Sequence, residues 1–432
     1  MIRLKAAHQT YEWGKLGNES KVATMLSAGD RSISIDPNSP YAELWMGTHP
    51  KGSSLIASTG QPLSAWLADH VNDAGENLKR TIDANKKQLD LPFLFKVLSV
   101  NKALSIQVHP NKVSCRSFEI NNCRTVLLPR QDEAVLLHKK DPKNYPDPNH
   151  KPEMAIALTP FELLCSFRPL EEILQNLDAT PELVALVGND CVAQLRQAAG
   201  ADVPENKRKE ALKICFSNLM TQSEQRVAAE MDKLLKRTSA TNGSIGLVKA
   251  ELLHRLNKHF PRDVGCWAPF FLNHFWLQPG EAVFLGANEA HAYLSGDCIE
   301  CMACSDNTVR AGLTPKFKDV QNLCRMLTYR MVSPKEIKLT PKQDTSKYLT
   351  TYDPPVKEFC VRRIEVPRKE NYVLDALNTC SIILVVEGCA DVAEADVQEL
   401  TSGFIGLLPA KMSLKITVKT APLVMFQSFA KD

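Results

Sequence analysis

The sequence predicts a mainly β fold interrupted by an α-helical domain, and three changes of texture along the chain predict it. Short β-prone runs cut by Gly, Pro and Asn (AELWMGTH, FLFKVLSV, LSIQVH) fill the first part, and NHFWLQPGEAVFLG resumes them past residue 260. Between these, residues 169–260 carry heptad-like runs such as LEEILQNL, KRKEALKICFSNLM and QRVAAEMDKLLKRT. The β texture returns near the end as EFCVRRIEVP, SIILVVEGC, GFIGLLPA, LKITV and LVMFQSF, spaced by turn residues as in a sandwich or barrel.

Each segment has its own physical reason. In the helical block Ala211, Ile214, Cys215 and Leu219, then Val227, Met231, Leu234 and Leu235, recur at three- and four-residue spacing, which gathers them on one helix face. The stretch from Pro334, PKEIKLTPKQDTSKYLTTYDPPVKE, is rich in Lys, Thr and Pro and poor in large apolar residues, as a linker would be. The expected divisions are a first β domain at 1–168 and 261–333, a helical insertion at 169–260, and a linker with a second β domain at 334–432. A chain of 432 residues is long enough for several cores of this kind.

Composition narrows the function. Lys and Arg number 52 against 49 Asp and Glu, a net +3 with no long run of one sign. That excludes a nucleic-acid backbone or an acidic membrane as the main partner and favours a small molecule. The N-terminal MIRLKAAHQTYEWGKLGNES has no signal-like apolar stretch, and no run of about 18 apolar residues occurs, so a cytoplasmic protein is expected. The 13 cysteines are odd in number and scattered among apolar neighbours, the pattern of buried thiols in a reducing compartment.

GDCIECMACSDN nevertheless places Cys298, Cys301 and Cys304 in a C-x2-C-x2-C spacing that invites a cluster. No fourth cysteine follows nearby, and a strand sends the three alternately to opposite faces, so structural thiols are expected.

Three other groups carry chemistry. In ALSIQVHPNK, Ser105, Gln107 and His109 alternate with Leu104, Ile106 and Val108, so a strand aims all three polar groups at one face. In YPDPNHKPEMAIAL, Lys151 and Glu153 share a side of the next strand, with His150 just before them. PGEAVFLGANEAHAYLSGDCIECMACSDNTVRAGLTPK supplies His291, Tyr293, Glu300, Asp306, Arg310 and Lys316 among small residues and turns. Gln107, His109, Glu153 and His291 together make a nitrogen and oxygen set suited to a catalytic divalent ion with an open position.

At these residues the sequence closely resembles the type I phosphomannose isomerases, also called mannose-6-phosphate isomerases, of the cupin superfamily. SIQVHPNK, YPDPNHKPEMAIALTPFELLCSFRP and the 279–316 stretch carry the likeness, as do YEWG and AELWMGTHP, and it spans nearly the whole chain. The resemblance implies two cupin-like jelly-roll β-domains plus a helical domain. It also implies a zinc-dependent aldose-ketose isomerase that interconverts D-mannose 6-phosphate and D-fructose 6-phosphate through a cis-enediol, feeding GDP-mannose synthesis and protein glycosylation.

Carried over, one Zn2+ per chain sits on Gln107, His109, Glu153 and His291. Arg310 and Lys151 act in catalysis, with His150 a further proton-transfer candidate. Ser105, Tyr293, Glu300, Asp306, Lys316, Trp13 and Glu43 bind substrate, and a cytoplasmic monomer is implied.

One departure stands out. VSCRSFEINNCRTVLLPRQ, residues 113–131, separates two ligand-bearing motifs, and DEAVLLHKKDP then resumes the family's pattern. It reads as a native loop excursion, cheap by closure entropy, or as a retained in-frame intron that inactivates the chain. Two further readings compete: a non-catalytic cupin that holds metal or sugar, and an iron-dependent redox cupin. Lys151 and Arg310 oppose the first, and the phosphate-suited Arg310 and Lys316 oppose the second.

Overall fold

The computed structural model describes residues 1–81, 87–112, 132–238, 244–393, 397 and 399–431. Two large sheets and a block of helices make the architecture, so the predicted mainly β fold with a helical insertion is what the chain adopts. The segment 113–131 lies outside the described residues.

The first sheet is organised by one long strand, His291–Ala303. It turns at Gly296, where φ is +109° and an added Cβ would lie 2.5 Å from the Pro160 carbonyl oxygen, so only glycine fits. Before the turn the strand pairs with Phe161–Phe167 and, at His291, with Gln107. After it, the strand lies between Phe93–Val100 and Glu153–Ala157. Strands from different parts of the sequence are thereby brought against a single one.

Alternation then sorts side chains. Phe95, Val97, Met154, Ile156, Ile299 and Cys301 point to the second sheet and form one apolar cluster with its Tyr352, Phe359, Val361, Ile382, Leu384 and Phe426. The intervening Lys96, Leu98 and Glu300 point the other way and line a cavity.

The second sheet runs Lys342–Gln343, Leu349–Tyr352, Cys360–Val366, Leu414–Phe429, Ser381–Val392, Ile405–Leu408, Ile2–Lys5 and Leu55–Ile56. It therefore draws two strands from the beginning of the chain: Ile2 pairs with Leu407 and Leu4 with Ile56. A boundary at residue 334 describes the order of the chain but not the membership of this sheet.

The segment expected as a linker is folded. Pro334–Ile337 is a short helix with a Ser333/Glu336 capping box, and Lys338–Leu339 pairs with Ala282–Leu285 in the first sheet. Leu349–Tyr352 then pairs with Cys360–Val366 in the second. Its polar composition reflects edge position, since Lys342 and Gln343 face solvent.

Among the described residues, six helices from Leu170–Ala179 to Ala250–His259 form the insertion. In Glu205–Met220 the buried face is Leu212, Cys215, Phe216, Leu219 and Met220, while Ile214 is exposed. The expected face is thus rotated by about one position. Phe216 sets it, meeting Phe167 and Phe271 edge-on at centroid distances of 5.0 and 5.6 Å.

A buried carboxylate ties this insertion to the sheet. Glu162 accepts hydrogen bonds from Arg255 Nη2 at 2.6 Å, His274 Nε2 at 2.8 Å and Ser295 Oγ at 2.8 Å. Burial pushes its pKa up, but these donors prevail and bring it from 4.5 to about 2. Such a group stabilises the fold above pH 4.5 and loses its contribution as pH falls toward 2. Glu162→Gln should cost about 2–3 kcal/mol at pH 7 and much less at pH 3, read from urea unfolding at the two pH values.

Candidate metal centre and substrate cavity

Cross-strand register assembles the centre. Gln107 lies directly opposite His291 on one neighbour and Arg310 on the other. Glu153 enters from the strand on the far half of His291–Ala303, opposite Met302. Ligand atoms of His109, Glu153 and His291 all lie within 4.8 Å of one another.

The imidazoles are oriented from behind. His109 Nδ1 is 2.8 Å from the Asn307 carbonyl oxygen, and His291 Nδ1 is 3.0 Å from that of Glu289. A carbonyl only accepts, so each Nδ1 carries the proton and each Nε2 presents a lone pair. Those lone pairs face Glu153 Oε2, at 3.2 Å from His109 and 3.3 Å from His291.

His109 Nε2 and Glu153 Oε2 are both buried without a hydrogen-bond partner. Acceptors aimed at one another in a buried site are repulsive unless a cation lies between them, so the donor set fits a metal ion. Burial, together with the nearby Lys151 ammonium, brings the pKa of His109 down to about 4, which keeps it neutral and able to ligate at pH 7. Burial pushes the Glu153 carboxyl up, and the Lys151 ammonium, 3.1 Å from its Oε1, opposes this and favours the carboxylate.

Gln107 Nε2 donates to His291 Nε2 at 3.3 Å, while Gln107 Oε1 accepts from Ser105 Oγ at 3.3 Å. Ligation by this amide uses its oxygen, which a half-turn of the amide presents. The Ser105 hydroxyl, donor or acceptor, serves either orientation.

Above this floor opens a cavity of about 540 Å3. Trp13, Glu43, Ser105, Gln107, Lys151, Glu153, Tyr293, Glu300, Asp306, Arg310 and Lys316 all line it, with His109 and His291 fully buried. Lys151 Nζ sits 3.1 Å from Glu153 Oε1, which places the pair on one side of its strand.

His150 is not brought in: its Nε2 lies 2.6 Å from Glu358 Oε1 of the second β unit, and it does not line the cavity. Asp306 is engaged by His49 at 3.4 Å and Lys51 at 2.7 Å, which hold its carboxyl well down despite burial. Cys298 and Cys301 fall in different apolar clusters, and all described cysteines are free.

Lys96 was not legible as a site residue. It is 6 % exposed, opposite both Trp45 and Glu300 in register. Its Nζ lies 3.1 Å from Glu43 and 3.1 Å from Glu300, and 5.3 Å from the Trp45 ring. Burial disfavours this ammonium, but the two carboxylates raise its pKa and keep it charged. Burial, with repulsion from Glu153 and Glu43, raises Glu300 despite Lys96, and burial raises Tyr293. A lysine in the apolar run FLFKVLSV was the available signal, since a buried ammonium requires a partner.

Arg310 and Lys316 stand apart from this network. Among the described residues neither pairs with a carboxylate: Arg310 Nη1 donates to the Thr308 carbonyl at 3.4 Å, and Lys316 Nζ lies 5.7 Å from the Tyr11 ring. Burial lowers the pKa of both, and Arg310 lowers Lys316 further. Two cations at one cavity wall, neither in a direct ion pair among the described residues, suit a multiply charged anion.

Three family models match the chain: the type I phosphomannose isomerase catalytic domain over residues 1–170, its helical insertion domain over 186–272 and its C-terminal domain over 351–393. Mannose-6-phosphate isomerase of Bos taurus is 44 % identical, with 98 % of this chain and 97 % of that protein covered. The Schizosaccharomyces pombe protein of the same name is 40 % identical, with both covered in full. Among solved structures, mannose 6-phosphate isomerase from Salmonella typhimurium in its apo form superposes with a TM-score of 0.78 at 27 % identity, covering 100 % of this chain and 99 % of that one. A zinc-bound mannose 6-phosphate isomerase matches with the same values.

The buried trio yields a test. Lys96→Met leaves Glu43 and Glu300 without their cation and should cost about 3–5 kcal/mol at pH 7. The cost should shrink at pH 5, where a protonated carboxyl needs no counter-charge, as urea midpoints at the two pH values will report.

Proposed function

This chain belongs to the type I phosphomannose isomerase family, and we infer that it interconverts D-mannose 6-phosphate and D-fructose 6-phosphate at a zinc centre held by Gln107, His109, Glu153 and His291. The observation that carries this reading is the pair of partnerless acceptors, His109 Nε2 and Glu153 Oε2, at the floor of a cavity that also holds Arg310 and Lys316. Zinc bound there would supply a redox-inert Lewis acid for a developing oxyanion.

The chain's own residues supply the rest. Aldose-ketose exchange opens the sugar ring and moves a proton between C1 and C2 through a cis-enediol, with negative charge developing on the oxygens. Arg310 is a fixed cation for the enediolate or the phosphate, and Lys316 adds a second charge for a dianionic group. Lys151, on the cavity floor, handles the proton.

Glu300 keeps a proton to a higher pH than an ordinary carboxyl and, with Tyr293, Ser105 and Asp306, orients hydroxyls. Trp13 and Glu43 bound the site. Burial of the reacting end among these groups strengthens each electrostatic contact.

The same reading takes one zinc per chain and a cytoplasmic monomer that delivers mannose 6-phosphate toward GDP-mannose and glycosylation. One His-Glu-His cluster among the described residues supports the stoichiometry, and the free thiols of the described cysteines suit a reducing compartment. Metal analysis and native mass of the purified chain test both numbers.

The insertion is compatible with activity on the geometry beside it. Asn111 N donates to Glu133 Oε2 at 3.1 Å, and Ala134 N to the Asn111 carbonyl at 3.4 Å, so the chain departs and returns at adjoining points. A long excursion closed in this way costs little.

Formation of fructose 6-phosphate from mannose 6-phosphate should be lost on chelation and return with Zn2+. Failure in folded, zinc-loaded protein would reject the assignment, unless deletion of residues 113–131 restores turnover and identifies the insertion as inactivating. Arg310→Lys should lower kcat/KM about 100-fold or more with zinc content unchanged, because a single ammonium replaces a planar fork.

A further inference from the structure

Asp147, in the YPDPNH turn, is the meeting point of two sequence motifs yet does not line the cavity. Its Oδ1 accepts from Ser305 Oγ at 2.8 Å and Asn149 N at 2.9 Å, and its Oδ2 accepts from Asp306 N at 2.8 Å. Asn307 Nδ2 donates to the Asp147 carbonyl at 2.6 Å and the Asn149 carbonyl at 2.9 Å. Asn307 N in turn donates to Ser305 Oγ at 3.1 Å. The turn and the 305–307 segment are thus tied together from several directions.

Asn307 is fully buried, and its backbone carbonyl is the acceptor that fixes the His109 tautomer. We propose that Asp147 is a positioning residue for the metal: by holding Ser305, Asp306 and Asn307 it fixes the Asn307 carbonyl, and through it the direction of the His109 Nε2 lone pair. The SDN stretch after the three cysteines therefore serves the metal through its backbone, and the cysteines take no part.

Loss of a group that orients a metal-bound histidine typically costs 10- to 100-fold in affinity. Asp147→Asn keeps the shape but replaces one acceptor oxygen with a donor. Asn307→Ala keeps the carbonyl and removes its anchorage. Neither changes an atom that would touch the ion.

This inference rests on the zinc reading, and one experiment separates the two. Full-length wild type and both variants are titrated with Zn2+ against a chromophoric chelator, well below their unfolding temperatures. Each variant should bind zinc about 10- to 100-fold more weakly, and its Co2+ absorption band should shift. Phe216→Ala, which loosens the helical insertion, should leave both readouts unchanged.

Folded variants with wild-type affinity would overturn the proposal, as would an equal loss in Phe216→Ala, which would mark general loosening. If either variant fails to fold, Ser305→Ala removes one donor to Asp147 and should weaken zinc binding in the same direction; unchanged affinity there would also overturn it. Wild type that binds no zinc would instead reject the zinc reading.

Discussion

The structure depends on the strand His291–Ala303 and on the turn that Gly296 allows within it. A straight strand would offer its two edges to the same two neighbours along its length. By turning, this one pairs with Phe161–Phe167 over its first half, meeting Gln107 at His291, and with Glu153–Ala157 over its second. It contributes His291 to the metal centre, Tyr293 and Glu300 to the cavity, and Ile299 and Cys301 to the core between the sheets. The site and the joint between the two β units are therefore opposite faces of one element, with the second unit packed behind the floor of the cavity.

Charge is laid out in two tiers. At the floor, Glu43, Glu153 and Glu300 are met by Lys96 and Lys151, with contacts of 3.1 Å throughout. The floor leans negative and has buried acceptors left over, which suits a divalent cation. At the wall, Arg310 and Lys316 are cations without carboxylate partners among the described residues, which suits a phosphate. A sugar phosphate spanning the cavity would find a cation for each end, one from the protein and one from the metal. This polarity orients a substrate before any hydroxyl is read.

Much of this was legible in the sequence, for identifiable reasons. The alternation of Ser105, Gln107 and His109, and of Lys151 and Glu153, is a local property of a strand and survives folding. His150 follows the same turn, yet the structure gives it to Glu358, about two hundred residues away, and no local pattern announces that. Lys96 was hidden for the opposite reason: it lies in a run that reads as core, and its partners Glu43 and Glu300 come from separate strands. The Leu212–Phe216 face differed from expectation because Phe167 and Phe271, outside the helix, decide which flank is buried. The cysteine spacing misleads in isolation, since opposite faces of one strand carry Cys298 and Cys301 into separate cores.

Residues 113–131 fall at a point in the sequence where the same logic applies. They separate His109 from Glu153 in sequence, which looks perilous if ligand geometry is thought to be transmitted along the chain. It is transmitted across it. Gln107 is fixed laterally by His291 and Arg310, Glu153 by the far half of the same strand, and His109 from behind by Asn307. The connection need only leave and return, and Asn111 with Glu133 and Ala134 brings its ends together. A site built from lateral pairings onto one strand leaves the length of its connections free.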